Sequence, residues 1–330
     1  MKKQMINASV VIPAYKRIEQ TVKTINLILN SNGLGNQFEL EIIVSDSTPA
    51  NDLEKAIKET FVDKVKYTRP SNPGVASNKN QGAKLASHEI LIFCDSDMEV
   101  EKDTFLNTLN SLKNYQTAAA IGGKVIWRSG DKDGQIDRPR PENRIIDINN
   151  TSYIESLYSR FLATYKSVFW KVGGYDEAVF NMRGEGSDLS IRYWRAGYPL
   201  VYDSSIIVHH VHDAPDSVAL RINHPEWGIA KDFVLLLYKY DMLDKNYSNV
   251  SSTVYADFGQ FGKDSGYRII QGITANLEFI SQATNIIKKQ KEQIKSVYNF
   301  KFLEVFSDRE MLMECINKSR DGLNFSHQLF

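Results

Sequence analysis

Over the first hundred residues, short β-branched runs alternate with amphipathic helical segments, and this order constrains the fold more than any other feature of the chain. Ser9-Val10-Val11-Ile12 is a strand stopped by Pro13, and the spacing of Ile18, Val22, Ile25 and Leu29 predicts a helix over 19–29. Residues 40–46 form a second strand, 52–61 a helix, 65–67 a short strand, 78–86 a helix and 90–94 a nearly continuous apolar strand. The alternation predicts an α/β fold, a mostly parallel Rossmann-like sheet flanked by helices. In such sheets ligands collect at the carboxyl ends of the strands, where Pro13, Asp46 and Asp95-Ser96-Asp97 fall.

The second half is less regular. A strand is expected over 122–127, then a polar loop over 129–143 of a length that suits a lid or a disordered segment. Strand and helix return over 145–170. A helix over 188–196 meets Gly197 at its C-terminal stop, and two short strands at 200–202 and 206–208 lead into His209-His210-Val211-His212. Beyond 213 the pattern is mainly helical, including 233–240 and 269–289. These features divide the chain into an α/β unit over 1–212, with a first half over 1–120 and a second half over 121–212, and a helical region over 213–330.

Charge excludes some partners. With 40 basic and 40 acidic residues the chain has no cationic excess for nucleic-acid phosphates. No apolar window approaches the ~18 residues of a spanning helix, and the first apolar run is too short for a signal sequence. Cys94 and Cys315 are the only cysteines, so a reducing cytoplasm is the expected setting.

Two carboxylates one residue apart raise each other's pKa unless something positive offsets them. Asp95 and Asp97 therefore suggest a site for Mg²⁺ or Mn²⁺, which take oxygen ligands and keep positions for water and phosphate. The alternative is a turn that starts a helix near Lys102.

Several motifs in order carry a family resemblance: Ser9 to Tyr15, Ile43-Val44-Ser45-Asp46-Ser47, Asn72-Pro73-Gly74-Val75 with Asn80-Gln81-Gly82, Asp95-Ser96-Asp97, Val172-Gly173-Gly174-Tyr175-Asp176-Glu177, Gly184-Glu185-Gly186-Ser187-Asp188-Leu189-Ser190-Ile191-Arg192 and Ala196-Gly197-Tyr198. Over residues 7–212 the chain resembles family 2 glycosyltransferases of the GT-A fold. The resemblance implies inverting, metal-dependent transfer of a sugar from a nucleoside diphosphate donor, UDP foremost, to a hydroxyl acceptor such as a glycan. It implies that Pro13, Ala14 and Tyr15 contact the nucleotide, that Asp46 accepts a hydrogen bond from the base, and that Lys79 faces the nucleotide. Asp95 then lies near ribose and metal, with Ser96 beside the donor, Asp97 binds the ion bridging the diphosphate, and His210 is a third ligand with His212 as the fallback.

Inverting transfer also needs a carboxylate base. Relatives supply it from a Glu-Asp pair ahead of a helix, whereas here glycine follows Glu185, leaving Glu185 or Asp188 for the role. Asp188 equally suits the first turn of its helix. Two rivals stand beside the transferase. A nucleotidyltransferase would want a glycine-rich loop near the N-terminus, and residues 13–17 contain no glycine. A catalytically degenerate nucleotide-sugar binder is prompted by Gly186. Trp170, Trp194 and Tyr175 suit the core better than sugar stacking. The run over 233–243 suits core packing or an oligomer contact better than peripheral contact with a membrane-bound acceptor, because its flanking charges, Lys231, Asp232, Lys239 and Asp241, are mixed. Such contact would place the protein at the inner face of the membrane.

Overall fold

The computed structural model describes residues 5–115, 117–128, 133–137, 145–148, 150–181, 183–211, 235–236, 238–240 and 277–293. Its first half is the expected alternation. Strands β1 (Ile6–Ala14), β2 (Phe38–Asp46), β3 (Val65–Thr68) and β4 (Ile90–Cys94) pair in parallel in the order β3-β2-β1-β4. Helices α1 (Ile18–Leu29), α2 (Asp52–Phe61) and α3 (Val75–Leu85) connect them. β4 is buried at every position because it lies between β1 and a later strand. Gly82 sets the depth of α3: a Cβ there would stand 2.3 Å from Val11 Cγ1, so the helix rests directly on β1.

The second half is mixed. Strand β5 (Met98–Val100) and helix α4 (Thr104–Asn114) precede β6 (Ala120–Trp127), β7 (Ile136–Asp137), β8 (Ile145–Ile148), β9 (Thr151–Ile154) and β10 (Phe161–Tyr165). Helices α5 (Lys166–Lys171) and α6 (Glu185–Arg195), strand β11 (Leu200–His210) and helix α7 (Leu277–Gln293) follow. β10 lies antiparallel beside β4, and the sheet continues through β6, β11, β9 and β8, with β5 on β11 and β7 on β6.

Three local expectations change. The two short strands at 200–202 and 206–208 are one strand, irregular between Tyr202 and Ile207, where Asp203 Oδ1 accepts from the Ser205 backbone at 2.9 Å. The helix expected from Asp188 begins at Glu185. A helix does begin close to the place expected near Lys102, at Thr104, but its N-cap is Asp103 and β5 lies between it and the paired aspartates, so the aspartate turn does not cap it.

A polar knot ties the opposite end of the sheet. Glu41 on β2 accepts from the Ser9 hydroxyl, the Lys66 ammonium, and the Ser87 backbone and hydroxyl, the last two at 2.8 Å. Burial pushes its carboxyl up, but the hydrogen bonds from Lys66, Ser9 and Ser87 outweigh burial and hold it at about 2. Because the folded value lies below the unfolded ~4.3, its contribution is complete above that pH and is lost as pH falls toward 2. Glu41→Gln is expected to cost about 1–2 kcal/mol in urea unfolding at pH 7, with the deficit shrinking at pH 3. An equal deficit at both would exclude the charged knot.

Leu235, Leu236 and Tyr240 are buried, as are Ala283 and Ile287 of α7, so the described part of the 233–243 run packs inward. Among the described residues no helix is long and apolar enough to cross a membrane.

Candidate active site

β4 delivers its chain into a tight turn. The Asp95 backbone amide donates to Arg160 O at 2.8 Å, and Met98 N closes on Asp95 O at 3.1 Å. Because β5 then pairs with β11, His210 stands opposite Met98 and Val211 N donates to Asp97 O at 3.0 Å. This stitching brings His210 Nε2 to 3.4 Å from Asp97 Oδ2, with the Trp127 ring packed on the imidazole at 4.6 Å. Arg17 from the start of α1 pairs with the same aspartate oxygen.

The two carboxylates are shifted in opposite directions. Burial raises Asp97, but the hydrogen bond and charge of His210, then Arg17 and Arg160, hold it at about 2. Asp95 is raised by burial, with Lys79 opposing and the charges of Asp97 and Glu185 adding to the rise. Their mutual repulsion is offset here by cations of the protein itself. Among the described residues no three metal-ligating side chains converge into a cage. Asp97 and His210 form a two-ligand corner, which suits an ion that draws its remaining ligands from phosphate and water.

Lys79, expected to face the nucleotide, is fully buried in α3. Its ammonium donates to Ser159 O at 2.8 Å and lies 3.2 Å from Asp95 Oδ1 and 3.5 Å from Glu185 Oε1. One cation thus bridges the aspartate turn and the first residue of α6. Glu185 Oε1 also accepts the Ser159 hydroxyl. The glycine that follows packs closely: a Cβ at Gly186 would lie 3.2 Å from Ser159 N, Cβ and Oγ, so a larger residue needs α6 or the 159 turn to give by a few tenths of an ångström.

Asp188 is enclosed. Its Oδ2 accepts from Arg192 Nε at 2.9 Å and pairs with Nη2 at 2.7 Å; Oδ1 meets Lys239 Nζ and the Tyr240 hydroxyl, each at 2.7 Å. Burial raises this carboxyl, yet the charges of Arg192 and Lys239 and the hydrogen bonds from Lys239 and Tyr240 hold it at about 2.

At the carboxyl ends of β1 and β2, Pro13 and Ala14 stand opposite Ser45 and Asp46, with half-buried Tyr15 beyond them. Asp46 is fully buried; its Oδ1 accepts from Thr48 N at 2.7 Å and from the Thr48 hydroxyl, and its Oδ2 accepts the Tyr67 hydroxyl at 2.7 Å. Ser96 is buried, and its carbonyl accepts from Thr24 Oγ1 at 3.0 Å, fastening the turn to α1. Trp194 and Tyr175 are core residues, Trp194 with its indole N–H on the carbonyls of Ile154 and Glu155 at 3.1 Å. His212 lies outside the described residues.

Sequence reasoning passed over Arg17, Ser159, Arg160 and Tyr67. Arg17 follows Tyr15 by two residues and was within reach; the others enter through tertiary pairing alone.

A model of Glycosyl transferase family 2 matches residues 9–173. A Campylobacter jejuni protein, GalNAc(5)-diNAcBac-PP-undecaprenol beta-1,3-glucosyltransferase, is 29% identical over 171 residues, 51% of this chain and 52% of that protein; the chain therefore spans about half of that relative's length. In fold the chain resembles GalNAc-T7, solved with UDP, GalNAc and Mn²⁺ (TM-score 0.55, 16% identity, 83% of this chain and 58% of that one). It also resembles the mannosyltransferase PcManGT of Pyrobaculum calidifontis, solved with GDP-Man and Mn²⁺ (TM-score 0.53, 14% identity, 99% of this chain and 89% of that one). With half of its length matched by the family model and its sheet following the GT-A pattern, this chain belongs to glycosyltransferase family 2.

Proposed function

We propose that the protein transfers a sugar, with inversion, from a nucleoside diphosphate, UDP foremost, to a hydroxyl group of a glycan or similar acceptor. The observation that carries the reading is the Asp97–His210 corner beside the half-buried Asp95, at the carboxyl ends of β1, β2 and β4. Asp97 and His210, with Asp95 behind them, would hold Mn²⁺ or Mg²⁺; the ion supplies charge stabilisation for the departing diphosphate. Pro13, Ala14 and Tyr15 wall the nucleotide, and Asp46 acts on the base through the Thr48 and Tyr67 it orients.

Glu185 is the base in this reading. Its Oε1 is held by Ser159 and Lys79, and among the described residues no hydrogen bond engages Oε2. That oxygen takes the acceptor hydroxyl proton while the acceptor oxygen bonds to the anomeric carbon, and the electron pair of the breaking carbon–oxygen bond leaves with the diphosphate. Asp188 is excluded from the role by its saturated carboxylate.

Calorimetric titration of UDP, GDP, TDP and CDP, with and without Mn²⁺, tests the donor site. One nucleotide is expected to bind only with Mn²⁺, and Asp97→Ala to weaken it by roughly a hundredfold, ~2.7 kcal/mol. No nucleotide binding under any condition would overturn the transferase.

A further inference from the structure

Beyond the family match, which ends at residue 173, the chain returns to the second half at one buried cation. Lys239 has a side chain 2% exposed, and its ammonium lies 2.8 Å from Asp176 Oδ2 and 2.7 Å from Asp188 Oδ1. Tyr240 adds its hydroxyl to Asp188 Oδ1 at 2.7 Å, and Gln290 of α7 donates to Asp176 Oδ2 at 3.0 Å. The ammonium also sits 5.3 Å from the centre of the Phe180 ring. Two carboxylates, Asp176 and Asp188, face two cations, Arg192 and Lys239, out of water. Removing Lys239 leaves one negative charge buried without its partner, an arrangement that a folded chain relieves by moving the group toward water.

We propose that Lys239 is a positioning residue for the transfer step, clamping α6 so that Glu185 is aimed at the acceptor. Asp188 and Glu185 share the first turn of that helix, three residues apart in sequence and adjacent on one face. A turn of α6 that lets Asp188 reach water swings Glu185 away from Ser159 and Lys79. The donor-side residues lie at the ends of β1, β2, β4 and β11 rather than on α6, and Lys79 keeps Asp95 and the Ser159 carbonyl as partners when Glu185 moves away. The inference rests on Glu185 as the base, and it makes the C-terminal segment part of the working site.

The test uses the full chain with Lys239→Met and Lys239→Arg. Release of UDP from UDP-glucose, UDP-galactose and UDP-N-acetylglucosamine is followed with Mn²⁺, together with UDP calorimetry and amide hydrogen exchange. Lys239→Met is expected to keep UDP affinity within about twofold and donor KM unchanged, to lose about a hundredfold in turnover, and to exchange faster over 183–195 alone. Lys239→Arg is expected to recover most of the turnover. Wild-type turnover, or wild-type exchange over 183–195, in Lys239→Met overturns the clamp. If the wild type releases no UDP from any of the three, the UDP-linked donor reading fails while the exchange measurement still decides the clamp. If Lys239→Met does not fold, the charge-balanced Asp176→Asn/Lys239→Met chain takes its place: lowered turnover supports positioning, and full turnover reduces Lys239 to a charge partner.

Discussion

Glu185→Gln is expected to lower turnover by about a thousandfold while leaving Mn²⁺-dependent nucleotide affinity within about twofold, because a general base contributes on that scale and amide nitrogen cannot take the proton. Glutamine keeps the shape, and its carbonyl can still accept the Ser159 hydroxyl, so the position of α6 is preserved. Turnover measured at saturating donor and binding measured by calorimetry separate the two effects. An unchanged rate would remove Glu185 from the chemistry, whereas nucleotide binding with no turnover in either chain would favour the degenerate binder that Gly186 suggests. Burial of the pair matters to the interpretation. Lys79 beside Glu185 is fully buried, so replacing the carboxylate also leaves a cation with Asp95 as its one remaining acidic neighbour among the described residues. A loss of nucleotide affinity together with turnover would mean that Lys79 had moved onto Asp95.

Asp188→Ala is expected to cost about 3–5 kcal/mol in stability, the largest loss from any single site described here, since it strips one carboxylate from two buried cations at once. Arg192 would keep Val172 O as an acceptor and Lys239 would keep Asp176, so the damage centres on the charge left uncompensated and on the Tyr240 hydroxyl. Urea unfolding at neutral pH measures it. Since the folded carboxyl lies at about 2 and the unfolded one near 3.9, the contribution of Asp188 is full above ~4 and disappears as pH falls toward 2. A loss below about 1 kcal/mol would show that the pairings are replaced by water and would leave the enclosed site open as a base again.

The layers of the first 120 residues were legible because their elements are local. Period-two and period-3.6 apolar spacing follow from backbone geometry alone, so β1, β2, β4, α1 and α2 stand within a few residues of their expected places. The order of motifs pointed to the right family. The direction of Lys79 was not legible, because the same lysine on the same helix can face a ligand or the protein, and only Ser159 and Glu185, far along the chain, decide which. β11 was split in expectation because Asp203-Ser204-Ser205 has turn chemistry; pairing with β6 on both sides of it carries the strand through. The base was ambiguous for a related reason. Glu185 and Asp188 are both acidic residues of one turn, and what separates them is Lys239, beyond the matched region.

β4 has β1 on one side and β10 on the other, and β10 is made some seventy residues later. Until β10 joins it, the parallel set β3-β2-β1-β4 has its most apolar strand as an edge, with the backbone groups on the side away from β1 unpaired. That interval is the chain's exposure to mispairing, and it explains why the aspartate turn depends on both halves: Arg160, one residue before β10, accepts the Asp95 amide and completes the turn only when the late strand arrives.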